Sequence, residues 1–244
     1  MQTISEDNIL GFFFFILAVL FGIMTYLVLR KGKSEINITF SLATIAFMLG
    51  SLLCSLDFFA KAGTLPLFSG FEILGNIGTL LYLWAPFGIF LASKLILHGT
   101  DSYKEIVPIA VFVFLIGITF IFVFTSDILG ITPIVTGTTP SKGTWFGTIV
   151  ISVVLIVSLY YYFKIYQKSP DLRNQLSFLI GGIILGIFSL ASVLLSTNDP
   201  DLLPMEFDAI FLSMINIGIL ISSFAFTNIP DNLRTPGIKS TNLS

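Results

Sequence analysis

Long apolar stretches separated by short polar or charged breaks run through this chain from one end to the other. The apolar runs lack the strict alternation of a barrel strand, and open strand edges in hydrocarbon would leave backbone groups unsatisfied, so helices are predicted. A bilayer core of about 30 Å is crossed by roughly 20 apolar helical residues. Seven uncharged runs meet that length: 8–29, 36–56, 73–93, 106–126, 143–163, 174–198 and 209–230. The predicted fold class is therefore an all-α integral membrane protein, a seven-transmembrane-helix bundle. Residues 231–244 are expected to form a short tail, and the only extended connection is Asp127 to Lys142, rich in Gly, Pro and Thr as loops are.

Charge sets the expected orientation, because Lys and Arg are retained on the cytoplasmic side. With the N-terminus outside, the inner segments hold ten basic residues (Arg30, Lys31, Lys33, Lys94, Lys104, Lys164, Lys168, Arg173, Arg234 and Lys239) and the outer ones two, Lys61 and Lys142. The C-terminus is then cytoplasmic. The outer side collects acidic residues, among them Asp57, Glu72, Asp127 and Asp199. The first eight residues, MQTISEDN, are acidic where a signal peptide needs a basic start, so the first apolar run is expected to remain as a span of a multi-pass cell-membrane protein.

Composition agrees: 55% of residues are hydrophobic and 11% charged, against about a quarter charged in soluble domains. Mean hydropathy is +0.97. The lipid bilayer is the expected surrounding partner. Nucleic acid is not an expected partner, since the net charge is -2 and the basic residues sit at span ends. A lone cysteine, Cys54, reads as a small core residue.

Catalytic chemistry has few resources here, and no enzyme activity, metal site or cofactor is predicted. His98 is the single histidine, too few for paired haem ligands or a multi-histidine metal site. The seventh helix contains no lysine to anchor a retinal Schiff base. Neither a phosphate-binding Gly-rich loop nor a Ser-His pairing occurs.

Polar residues inside the spans are directional. Glu72, Asn76 and Thr79 share one face of the third helix; Ser189, Ser192 and Ser196 share a face of the sixth; Ser213, Asn216 and Ser223 share one of the seventh; and Asp57 closes the second. Two readings stand side by side. These groups line an outward-facing cavity with Asp57 and Glu72 at its mouth, giving Asp57, Glu72, Asn76, Ser189, Ser192 and Asn216 as candidate ligand-binding residues. Alternatively they are interhelical hydrogen-bond glue. Asn216 is the strongest single candidate, because an amide a third of the way into a span is expensive unless paired. Packing signals are Gly182 and Gly186, a GxxxG in the sixth helix, Gly75 and Gly78 in the third, and Pro86, which removes a backbone donor mid-span and is expected to kink the third helix. Trp84 is read as packing, whereas Trp145, Tyr160, Tyr161, Tyr162 and Tyr166 fall near the ends of the fifth span, where aromatic belts lie.

The basic first inner loop RKGKSE, the third helix LYLWAPFGIF, the fifth helix running through YYYFKIYQKS into RNQLSFLIGGIILGIF, and the acidic Pro-bearing outer loop NDPDLLPMEFD together resemble the N-terminal seven-transmembrane region of membrane sensor histidine kinases. The similarity covers nearly the whole chain in layout. Such kinases continue into a dimerising helix and an ATP-binding domain, whereas this sequence ends at TPGIKSTNLS, so the expectation is a sensing module without a kinase domain. The resemblance implies that a small or lipophilic ligand engages the outer half and that a helix rearrangement is read by a cytoplasmic signalling protein. An accessory subunit held by other subunits of a membrane complex is the second expectation, and a small transporter the third. A transporter would want matching broken helices in two halves, and only Pro86 marks such a break.

Overall fold

The computed structural model describes residues 6–32, 34–65, 73–125, 142–198 and 208–227. Within them lie seven long helices: α1 (Glu6–Arg30), α2 (Glu35–Lys61), α3 (Ile73–His98), α4 (Ile106–Thr125), α5 (Lys142–Lys168), α6 (Arg173–Asn198) and α7 (Asp208–Thr227). The described parts of five of them, α1, α2, α3, α5 and α6, are long and apolar enough to cross a membrane; those of α4 and α7, Ile106–Thr119 and Asn216–Thr227, are shorter. The described residues are all-α, and their long apolar helices are those of a membrane protein. Large apolar side chains cover its outside, with Phe12, Tyr26, Ile106, Phe178 and Phe188 all more than half exposed, a surface suited to lipid.

Helices overrun the hydrophobic runs because a helix ends where its caps are, not where its apolar stretch ends. α2 begins at Ser34, whose hydroxyl accepts the N–H of Asn37 at 3.2 Å, and continues past residue 56 to Lys61. Lys61 thus leaves the expected outer loop and pairs with Asp57 at 2.7 Å, one turn back on the same helix. α3 runs on to His98, so Lys94 belongs to a helix and not to a connection. It stops at Gly99, whose φ of 82° a side chain would resist, and a 3-10 turn, Thr100–Lys104, leads into α4. α3 passes through Pro86 without interruption, the proline being buried in the bundle.

Six helices close a ring in the order α1, α2, α3, α5, α6, α7 and back to α1, while α4 lies outside it, against α3 and α5. The described side chains of the ring interior pack into one apolar cluster. Phe40 of α2 stacks on Phe226 of α7 with centroids 3.8 Å apart, and Phe21 and Tyr162 are fully buried. A smaller cluster, including Leu83, Phe90, Leu115, Ile118 and Val154, seats α4 on α3 and α5. Trp84 belongs to this contact, as its packing role requires: its indole N–H donates to Thr119 Oγ1 at 2.9 Å, and its ring meets Phe112 edge-on.

Glycines set the tightest approaches. On α2 and α3, Gly50 and Gly78 face each other, so that a Cβ on either would stand 3.0 Å from the other's carbonyl oxygen, and Gly88 lies against Ala43 and the Thr39 carbonyl. On α6 and α7, Gly182 abuts the Gly218 carbonyl and Ser222. The GxxxG of α6 thus packs within the chain. The tyrosine belt is corrected in part: Tyr160 is 55% exposed, but Tyr161 and Tyr162 are buried, because successive helical residues turn by 100° and cannot share a lipid-facing side.

Candidate functional site

Polar groups inside the ring find partners across helix pairs. Thr25 of α1 and Thr44 of α2 share a hydrogen bond of 2.8 Å, and Ser55 of α2 donates to the Gly11 carbonyl of α1 at 2.8 Å. The hydroxyl of Tyr162 on α5 donates to the Ile89 carbonyl of α3 at 3.2 Å, and Ser222 on α7 donates to the Leu179 carbonyl of α6 at 3.0 Å. Backbone carbonyls thus accept second bonds from neighbouring helices, which binds pairs whose apolar surfaces alone give no preference over lipid.

One junction joins three helices. The hydroxyl of Tyr82 on α3 lies 2.6 Å from Ser51 Oγ on α2, and the side chain of Asn216 on α7 is within hydrogen-bonding reach of the same hydroxyl. Ser51 is fully buried, Asn216 nearly so, and Cys54, half-buried on α2, packs beside them with its sulfur against Gly78. Tyr82 was not singled out from sequence. Its signal was there: a phenol in the middle of an otherwise apolar span needs a partner, and Asn216 supplies one.

Of the other candidate residues, Asp57 is buried to 6% exposure, paired with Lys61, and its carboxylate rests against Gly75 in the first turn of α3. That turn carries backbone N–H groups with no helical acceptor and the positive end of the helix dipole, a favourable place for a carboxylate. Ser189 is buried and donates to the Leu185 carbonyl of its own helix at 2.8 Å. Asn76 and Ser192 lie on α3 and α6 with side chains outside the described set; Glu72 and the expected tail lie outside the described residues altogether. Among the six expected cavity residues, the described side chains of Asp57, Ser189 and Asn216 each have a protein partner, on α2, α6 and α3 respectively.

The second polar cluster lies at the opposite, basic end. Lys94 is 2% exposed, hydrogen-bonds the carboxylate of Glu105 just before α4, and places its ammonium 4.6 Å from the ring centre of Tyr161 on α5. His98, one turn further on, brings Nδ1 to 3.9 Å from the same carboxylate and meets Tyr161 edge-on. This arrangement fixes α3, the connection to α4 and α5 to one another. Sequence counting placed Lys94 in a connection; its i+4 spacing from the inward-facing Phe90 was the available sign that it points into the bundle.

Across that end, α1 and α7 are tied by Lys31, whose ammonium donates to the Thr227 carbonyl at the C-terminus of α7. Among the described residues, no three of His, Cys, Asp and Glu gather as ligands of a metal ion would. Compared with family models, characterised proteins and solved structures, the chain matches none.

Proposed function

We propose that this chain is a seven-span module of the cell membrane, N-terminus outside and C-terminus cytoplasmic, which couples a change in its outer half to a cytoplasmic signalling protein without doing catalysis itself. The reading is the one implied by the resemblance to the seven-transmembrane region of sensor histidine kinases. The observation that carries it is the Ser51, Tyr82 and Asn216 junction. It joins α2, α3 and α7, and two of these reach the basic end at their charged contacts, α3 through Lys94 and α7 through Thr227.

A hydrogen-bonded junction is a physical basis for two packings. A ligand that replaces the Asn216 bond to Tyr82 loosens α7 from α3 and shifts the Lys31 contact at the other end. Such a ligand acts only by binding one packing better than the other: a complete switch needs about 5.5 kcal/mol of difference, and a partial one proportionately less. A single mid-span proline, Pro86 in α3, with no matching break in a second half, favours this reading over a transport path, and the apolar outside of α4 leaves the accessory-subunit reading as the alternative to be tested.

The test is co-purification from native membranes in mild detergent, with mass spectrometry of what is retained, beside tags at both termini assayed for protease access in sealed vesicles. A stoichiometric signalling protein and a protected C-terminal tag are expected. Stoichiometric catalytic or channel subunits would move the chain to the accessory class, and an N-terminal tag protected inside the vesicle would overturn the orientation.

A further inference from the structure

At the C-terminal end of α3, one carboxylate serves two basic side chains. Glu105, just before α4, gives one oxygen to the ammonium of Lys94 and holds the other 3.9 Å from Nδ1 of His98. From α5, Tyr161 places its ring centre 4.6 Å from that ammonium and meets the imidazole edge-on, while Lys164 and Lys168 stand within electrostatic reach of His98. Among the described side chains, the charges around His98 are therefore Lys94 on its own helix, Glu105 in the connection, and Lys164 and Lys168 on α5. Three cations oppose one anion.

Access to water differs sharply among the groups. Lys94 is 2% exposed and cannot exchange its partner for solvent, whereas Glu105 is 40% and His98 43% exposed. Histidine, with an ordinary pKa of about 6.5, is the side chain that changes charge on mild acidification. Once charged, His98 repels Lys94 one turn away on the same helix and competes for the carboxylate on which that buried ammonium depends. The helix held by this carboxylate is free to respond. α4 lies outside the ring, against α3 and α5, and its other ties, the Trp84 bond to Thr119 and the apolar contacts around Leu115 and Ile118, involve no group that titrates near neutrality.

We propose that His98, Lys94 and Glu105 form an acid-released latch on α4. Protonation of His98 divides the Glu105 carboxylate between two cations and loosens the connection that carries α4. The latch adds an input to the bundle, the local proton concentration, and works independently of the Ser51, Tyr82 and Asn216 junction. That the pH it senses is the cytoplasmic one rests on the proposed orientation; the latch itself does not.

The experiment is hydrogen exchange on the full chain in detergent, with each rate divided by the intrinsic rate at the same pH. It compares about pH 7.5 with about pH 5, which brackets the ordinary histidine value and stays above the ordinary glutamate one. In wild type, protection of residues 106–119 is expected to fall about twofold, the factor for a like-charge pair one helical turn apart, while α1 and α2 keep theirs. His98→Gln should hold its protection at both pH values, and His98→Arg should show the lowered protection at both. If one variant fails to fold, the other decides together with the sign of the wild-type change. A fall in His98→Gln equal to that of wild type would overturn the proposal. So would wild-type protection that stays level or rises on acidification, a rise meaning that the charged imidazole tightens the grip on Glu105.

Discussion

The two glycines of the α6 GxxxG should respond in opposite directions to the same substitution. An alanine at Gly182 would place its Cβ against the Gly218 carbonyl oxygen and Ser222 Oγ of α7, both nearer than any real Cβ contact, with Ser222 N at 3.0 Å. The serine hydroxyl can rotate away, but the carbonyl belongs to a helix backbone and cannot. α7 must therefore retreat by about 1 Å, and a gap of that size forfeits roughly a quarter to a half of each dispersion contact along the seam. Overpacking of this kind costs about 1–3 kcal/mol. The bond from Ser222 to the Leu179 carbonyl, 3.0 Å long, stretches with it. An alanine at Gly186 meets only Leu155 Cδ1 at 3.9 Å and Ile219 Cδ1 at 4.0 Å, ordinary contact, and gains up to about 1 kcal/mol of helix propensity. Unfolding in detergent, followed by helical circular dichroism, should show Gly182→Ala destabilised and Gly186→Ala unchanged or more stable. Equal effects at the two positions, or a Gly182→Ala variant of full stability that only loses self-association, would refute the intramolecular packing described here.

Glu105→Gln should destabilise more than Lys94→Met, because the first strands a buried ammonium and the second leaves a carboxylate that is 40% exposed and can be hydrated; the paired variant should recover much of the loss in the same unfolding assay. Asn216→Leu is expected to cost about 0.6 kcal/mol, with an upper bound near 1.7, and to show coupling with Tyr82→Phe in a double-mutant cycle; additive effects would mean the two side chains do not share a bond. Trp84→Phe removes the bond to Thr119 and should speed hydrogen exchange in α4 while leaving α1 and α2 as protected as before; uniform acceleration would show that α4 is integral to the ring rather than attached to it.

Hydropathy alone located all seven helices, since a run of about 20 apolar residues has few alternatives to a helix in lipid, and the described elements fall on the expected runs. It also picked out Gly182, Gly75 and Gly78 as points of close approach and Asn216 as a polar group in need of a partner, because each is an oddity in its local run. Element ends were less legible. Lys61, Lys94 and Lys168 all proved helical, because long basic side chains are tolerated in a terminal turn and a hydropathy boundary therefore falls short of the helix end. Only the tertiary structure decided which helices are neighbours. Period 3.6 says which residues share a face but not which helix that face meets, so the exclusion of α4 from the ring and the pairing of Gly50 with Gly78 could not be read from spacing. For the same reason the joining of Tyr82 to Ser51 and Asn216, 31 residues before it and far after it in the chain, appears only when α2, α3 and α7 are packed together.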